Sequence, residues 1–138
     1  MEFRNFTFKD YEAVIELWTC AGIQICRSDS IEGLKKIVER EPDLFFVAEE
    51  NHKIIGAVMG TYDGRRGWVN HLAVHPEYQG KQLGTQIMKE LEKRFKQIGC
   101  EKINLLIEMD NTKVQKFYEQ LGFNQDELVF MEKWIDKK

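Results

Sequence analysis

His71-Leu72-Ala73-Val74-His75-Pro76-Glu77-Tyr78-Gln79-Gly80-Lys81-Gln82-Leu83-Gly84-Thr85 is the stretch whose reading decides the fold. Its first part ends a strand, Trp68 to Val74, which His75-Pro76 stops because proline cannot donate to a ladder. Its last part opens a long helix. Leu83, Ile87, Leu91, Phe95 and Ile98 recur at nearly four-residue spacing, one apolar face laid on a sheet, and Gly99 ends it. The loop between, Gln79 to Thr85, feeds small residues into a helix N-terminus. Such a loop gathers unpaired N–H groups and the positive end of the helix dipole at one point, a ready site for phosphate or pyrophosphate. It is not a P-loop, because no lysine precedes Thr85 and the spacing is short. Nor does Gly-x-Gly-x-x-Gly, the dinucleotide fingerprint, occur in the chain. Alone, glycines at a helix start more often serve turn geometry than a ligand.

Working outward, Glu2 to Phe6 reads as a short strand, and Thr7 with Asp10 resembles a helix start without the Glu or Gln of a full capping box. Tyr11, Val14, Ile15 and Trp18 form one helical face, with Gly22 as its stop. A second helix begins near Ser30 with Ile31, Leu34, Ile37 and Val38 inward, and Pro42 follows its end. Leu44 to Glu50 and Lys53 to Tyr62 are strand-like and joined by a tight Asn51-His52 hairpin. Asp63 to Gly67 is the next turn. Downstream, Lys102 to Glu108 reads as a strand, Val114, Phe117, Tyr118 and Leu121 as a helix capped by Gly122, and Leu128 to Ile135 as a closing strand. The order is β-α-α-β-β-β-α-β-α-β, a meander followed by a βαβ unit. That makes an α/β sandwich on a mixed sheet with one parallel junction, across the long helix.

At 138 residues the chain is predicted to be one domain over 1–138, with 43% apolar residues for a core and 31% charged for a surface. The net charge of −3 forces no basic face, so nucleic acid is not an expected partner. MEFRNFTFKDYE lacks the apolar core of a signal peptide, and the longest apolar stretch, Ile54 to Gly60, is far short of a membrane span. Cys20, Cys26 and Cys100 are an odd number at no framework spacing, which points to a reduced, cytoplasmic setting with no membrane partner.

Asn111 stands where a strand gives way to a helix, and Tyr118, seven residues on, shares its face after nearly two turns. Taken singly they read as an N-cap and a half-buried aromatic. Together, the run His71 to Gly84, then Asn111 and Phe117-Tyr118-Glu119-Gln120-Leu121-Gly122-Phe123, resemble the GNAT superfamily of acetyl-CoA-dependent N-acyltransferases. The family pattern is L-A-V-x-P-x-x-Q/R-G-x-G-x-G followed by N-x6-Y-x-x-x-G-F, and the resemblance covers nearly the whole chain. Within the superfamily the G-x-Y-D-G-x-R-G turn, Gly60 to Gly67, is most similar to small bacterial members of the YpeA type.

The resemblance implies acetyl-CoA as co-substrate, an amine acceptor and a splayed parallel strand pair at the coenzyme site. Backbone of Leu72, Ala73 and Val74 would pair with the pantetheine arm. Amides across Gln79, Gly80, Lys81, Gln82, Leu83, Gly84 and Thr85 would hold the pyrophosphate, and Asn111 would hydrogen-bond the pantetheine. Tyr118 would sit near the thioester sulfur. Gln82 departs from the family's usual glycine, so a need for positive φ there would weaken coenzyme binding.

The chemistry is acetyl transfer to a primary amine by direct attack. The N–H near Val74 is a candidate donor to the oxyanion, and Tyr118 a proton or hydrogen-bond donor to the thiolate. The amine must also lose a proton. A carboxylate position used in some relatives is Leu106 here, which leaves Glu108 and His71 as alternative bases. The acceptor, a small molecule or a protein N-terminus or lysine, would be met by Gly22 to Ser30 and by the segment after Gly122. The rival reading is an acyl-CoA-binding sensor or interaction module without turnover. The chain would act as a monomer or homodimer. No metal is expected, because His71-x3-His75 spans a strand end rather than a helix face. Cys20 and Cys26 read as packing residues, Cys100 lacks an evident base for a nucleophile, and Lys89 to Lys96 reads as a solvated helix face.

Overall fold

A computed structural model describes residues 1–136. The chain divides into two compact units, Met1–Leu105 and Leu106–Lys138. The first holds a five-stranded sheet in the order β1 (Glu2–Asn5), β2 (Phe45–Glu50), β3 (Lys53–Tyr62), β4 (Gly67–Val74) and β5 (Ile103–Asn104). The first three junctions are antiparallel and β4–β5 is parallel, as the element order predicts. Helices α1 (Tyr11–Cys20) and α2 (Ile31–Arg40) lie between β1 and β2, and α3 (Leu83–Gln97) lies between β4 and β5. The second unit is built around α4 (Thr112–Gln120).

Alternation along the strands gives the sheet two apolar faces. Phe45 and Val47 of β2 and Ala57 and Met59 of β3 close one core with Val14, Leu17 and Trp18 of α1 and Leu34 of α2. The opposite face receives the α3 ridge Ile87-Leu91-Phe95, and it does so on glycines. A Cβ at Gly56 would lie 2.7 Å from Ile87 Cδ1, one at Gly60 2.9 Å from Leu91 Cδ1, and one at Gly67 2.6 Å from Phe95 Cε1. Helix and sheet approach this closely because the strands present no side chain there.

The turns follow their residues. Asn51 and His52 take φ of 51° and 64°, the paired positive values of the hairpin turn that favours asparagine. Asp63 Oδ1 accepts the N–H groups of Arg65 and Arg66 at 2.8 and 2.7 Å. Asp10 performs the task expected of a Glu or Gln, accepting the Thr7 N–H at 2.9 Å. It is nearly buried, and the Arg4 guanidinium, at 2.8 and 2.9 Å from its two oxygens, holds its carboxyl below the ordinary range.

Several expectations are corrected. The strand expected over Lys102–Glu108 is paired only at Ile103–Asn104. The segment Leu128–Ile135, expected as a closing strand, forms none, and its large apolar side chains are exposed, Ile135 by 96%. Apolar, β-prone composition makes a segment fit for a sheet but names no partner for its N–H and C=O groups. Cys20 and Cys26, read as packing residues, are exposed, because both lie at or beyond the end of α1. Arg94 is not part of a solvated face. It donates to Glu90 Oε2 at 2.9 Å, Asn5 Oδ1 at 2.6 Å and the Asp43 carbonyl at 2.9 Å, and its guanidinium lies 4.2 Å from the Phe46 ring centre. A long side chain with a flat cation can cover apolar surface and still reach polar partners.

Candidate active site

The site begins where β4 loses its parallel neighbour. β5 pairs with β4 only at Gly67 and Trp68, and β4 runs on to Val74. Opposite β3 the ladder alternates, and the His75 N–H donates to the Ile55 carbonyl at 2.8 Å. Val74, one residue earlier and opposite Gly56, is therefore in a non-hydrogen-bonded pair. Its N–H and C=O point away from β3, to the side that β5 has left. The Val74 carbonyl takes the Gln79 side-chain amide at 3.2 Å, which ties the following loop back to the strand. Leu72 and Val74 are half-buried and Ala73 is buried.

That loop passes through a 3-10 turn, Pro76–Tyr78, capped by His75, whose Nδ1 accepts the Glu77 N–H at 3.2 Å. Gly80 then takes φ of 79° with nothing within 4 Å of where a Cβ would be. Gln82 is the N-cap of α3, in the left-handed region at φ 63° and ψ 17°, and its side chain makes no capping bond. The first bond into the helix is Gln86 N–H to the Gln82 carbonyl at 3.1 Å, so the amides of Leu83, Gly84 and Thr85 have no intrahelical acceptor. Three uncapped donors and the positive end of a fifteen-residue helix converge here. Residue 82 takes the positive φ that glycine adopts without strain. A left-handed non-glycine residue costs about 1–2 kcal/mol. Gln82→Gly is expected to raise unfolding stability by about 1 kcal/mol in chemical denaturation. An unchanged or lower midpoint would mean that side-chain contacts of Gln82 offset the strain.

Upstream on β4 a second feature stands out. Ala57 pairs with Ala73 and Met59 with Asn70, so His71 and Leu72 together face Val58, a β-bulge that gives His71 a φ of 21°. Bulges re-aim side chains. The one at His71 turns its imidazole onto Asp29, with Nε2 3.0 Å from both carboxylate oxygens. The Asp29 side chain is 1% exposed and that of His71 21%. Trp18, buried, meets the imidazole edge-to-face at 4.6 Å. Asp29 Oδ2 also accepts the Cys26 N–H at 2.9 Å, and its own carbonyl accepts the Tyr11 hydroxyl at 2.9 Å. Sequence reasoning missed Asp29. The spacing Cys26-x-x-Asp29 repeats that of Thr7-x-x-Asp10 and flags a cap, but nothing local connects it with a histidine 42 residues away.

The other expected residues lie in the second unit. Glu108 is exposed and lies outside any strand, with its carbonyl taking the Gln115 side-chain amide at 3.1 Å. Leu106 is 60% exposed. Asn111 is the N-cap of α4, its Oδ1 accepting the Val114 N–H at 3.3 Å, which leaves its amide protons for another partner. Tyr118 is 7% exposed, between Phe117 and Phe123 with ring centres at 5.0 and 5.4 Å. Burial pushes its phenol up to about 12.

Comparison with known proteins places this geometry. Residues 11–123 match the model of the acetyltransferase (GNAT) family. The chain is 37% identical over 131 residues to an acetyltransferase of Sodalis glossinidius (strain morsitans), covering 95% of this chain and 92% of that protein. It is 40% identical over 123 residues to an acetyltransferase of Pectobacterium atrosepticum, covering 89% and 87%. Among solved structures, the PaiA N-acetyltransferase of Thermoplasma acidophilum, in complex with coenzyme A, superposes with a TM-score of 0.79 at 25% identity, covering 93% of this chain and 92% of that one. The chain belongs to the GNAT family of acetyltransferases and is an acetyl-transferring enzyme.

Proposed function

We propose that this protein transfers acetyl from acetyl-CoA to a primary amine by direct attack, as one functional domain in the cytoplasm, with His71 rather than Glu108 as the base. The residues present fit the coenzyme. Val74 and its neighbours offer strand backbone on an open side, and Gly80 to Thr85 offer an uncapped helix start for phosphate. The spatial run from Val74 through the uncapped α3 amides carries the reading. Acetyl-CoA supplies, when bound, a thioester whose C–S bond breaks as the C–N bond to the amine forms. The Val74 N–H, on the open side of β4, would donate to the carbonyl oxygen as charge builds on it. His71 accepts the proton that leaves the amine nitrogen, and Tyr118 donates to the departing sulfur. His71 is preferred to Glu108 because a side chain pinned by a buried carboxylate is held in place, whereas Glu108 sits exposed at a loop. Asn111, with free amide protons at the N-cap of α4, would bind the pantetheine chain.

The test is release of free thiol from acetyl-CoA with polyamines, amino acids, aminoglycosides and peptides as acceptors. Coenzyme at a hundredfold its Kd should also stabilise the fold by about 2.7 kcal/mol in thermal unfolding. Thiol release with one acceptor class supports the reading. Stabilisation without turnover of any amine would favour an acyl-CoA sensor, and no thermal shift with acetyl-CoA or coenzyme A would sink both.

A further inference from the structure

We propose that Asp29, buried in the loop between α1 and α2, is a positioning residue that fixes the imidazole tautomer of His71 so that Nδ1 presents the lone pair to the amine. This rests on the reading of His71 as the base. A carboxylate can only accept hydrogen bonds. With Nε2 at 3.0 Å from both Asp29 oxygens, the proton of the neutral ring is on Nε2. Nδ1 makes no hydrogen bond among the described residues, and the partly exposed ring keeps an edge open to an acceptor.

Asp29 is itself fixed from three sides. Its Oδ2 takes the Cys26 N–H, its carbonyl takes the Tyr11 hydroxyl, and Ser30, next in the chain, caps α2 through the Gly33 N–H at 3.1 Å. A capping aspartate needs no histidine, yet this one turns both of its oxygens to His71 Nε2. The bulge in β4 and the positive φ of His71 are the backbone cost of that contact, and strain of this kind persists where the surroundings hold it. The same contact anchors the Gly22–Ser30 segment, the expected acceptor-facing loop, to the strand that carries Val74.

The decisive variant is Asp29→Asn. The Cys26 N–H still needs an acceptor, so the amide oxygen must stay at the Oδ2 position. The amide NH2 then replaces Oδ1 at 3.0 Å from Nε2, where it competes as a donor with the ring's own N–H, while only the oxygen at the Oδ2 position still accepts. The shape is conserved, but the ring loses the charged acceptor that holds its proton on Nε2, and the Nδ1–H tautomer gains population. Long-range 1H–15N correlation spectra of the free protein, at a pH where imidazole is neutral, should show the Nε2–H tautomer in the wild type and a raised share of the Nδ1–H tautomer in Asp29→Asn. They need no knowledge of the acceptor. With any amine that turns over, kcat should fall at least tenfold in Asp29→Asn while the KM for acetyl-CoA stays within twofold. His71→Gln should lose at least as much. A wild-type ring in the Nδ1–H form overturns the proposal. So does a tautomer shift without loss of kcat, or a loss of kcat that tracks a fallen melting temperature with the tautomer unmoved. If His71→Gln turns over as fast as wild type while the tautomers behave as stated, it is the assignment of His71 as base that fails.

Discussion

Tyr118→Phe is expected to lower kcat about 10²-fold while leaving coenzyme affinity and stability near their wild-type values. Burial raises the phenol to about 12, so the hydroxyl keeps its proton throughout the usable pH range. A coenzyme thiol titrates near the ordinary thiol value of about 8.5, so complete proton transfer from Tyr118 to the thiolate would run uphill by about 5 kcal/mol. The hydroxyl therefore acts in the proposed reaction as a hydrogen-bond donor to the developing charge. A hydrogen bond to a charged group is worth up to about 3 kcal/mol, a factor of about 10² in rate. Among the described residues the Tyr118 hydroxyl makes no hydrogen bond, and the ring contacts with Phe117 and Phe123 survive the change. Steady-state kinetics with a competent amine, beside a melting curve, checks both halves. Undiminished kcat would make Tyr118 a packing residue. The same high value predicts that no alkaline limb below about pH 11 belongs to this tyrosine.

Gly33→Ala is expected to destabilise the protein by about 2 kcal/mol, opposite in sign to helix propensity. In an exposed helix the change would gain about 1 kcal/mol. At position 33, in the first turn of α2, an added Cβ would run into the backbone carbonyl oxygen of Ser28, with the Ser28 carbonyl carbon at 2.7 Å and its Cα at 3.1 Å. No rotamer change relieves a clash with backbone, so the start of α2 or the Arg27–Asp29 turn must move. Overpacking of this kind costs about 1–3 kcal/mol. Because Ser28 adjoins Asp29, the displacement also loosens the contact with His71, and kcat should fall with stability. Urea denaturation and turnover measure the two effects. A raised midpoint would show that the loop yields without strain.

Much of this protein was legible before the fold was known, for reasons that are local. The α3 face from Leu83 to Ile98 is a period, the Asn51-His52 hairpin is a turn chemistry, and His75-Pro76 is a missing N–H. Each is decided within a few residues of itself. The spacing from Leu72 to Gly84 and from Asn111 to Phe123 likewise identified the family, because the motif is written in consecutive residues. Strand composition misleads where a strand needs a partner. Lys102–Glu108 and Leu128–Ile135 have strand composition, yet β5 is two residues long and the later segment is no strand, since pairing depends on what lies alongside.

By itself, then, the sequence determined the order of elements as far as α4, the fold class and the acetyltransferase family; at residue 82 it showed only that glycine is missing, and the left-handed φ of 63° is a fact of the structure. Only the tertiary structure decided that Gly56, Gly60 and Gly67 form the track on which α3 sits, and that Arg94 belongs to the packing. It also brought His71 onto Asp29. A strand histidine becomes a candidate base when a bulge turns it onto a carboxylate that is 1% exposed and comes from a loop 42 residues earlier. Hydrogen bonds at 3 Å join groups by position in space, and no pattern of neighbours along the chain specifies that distance.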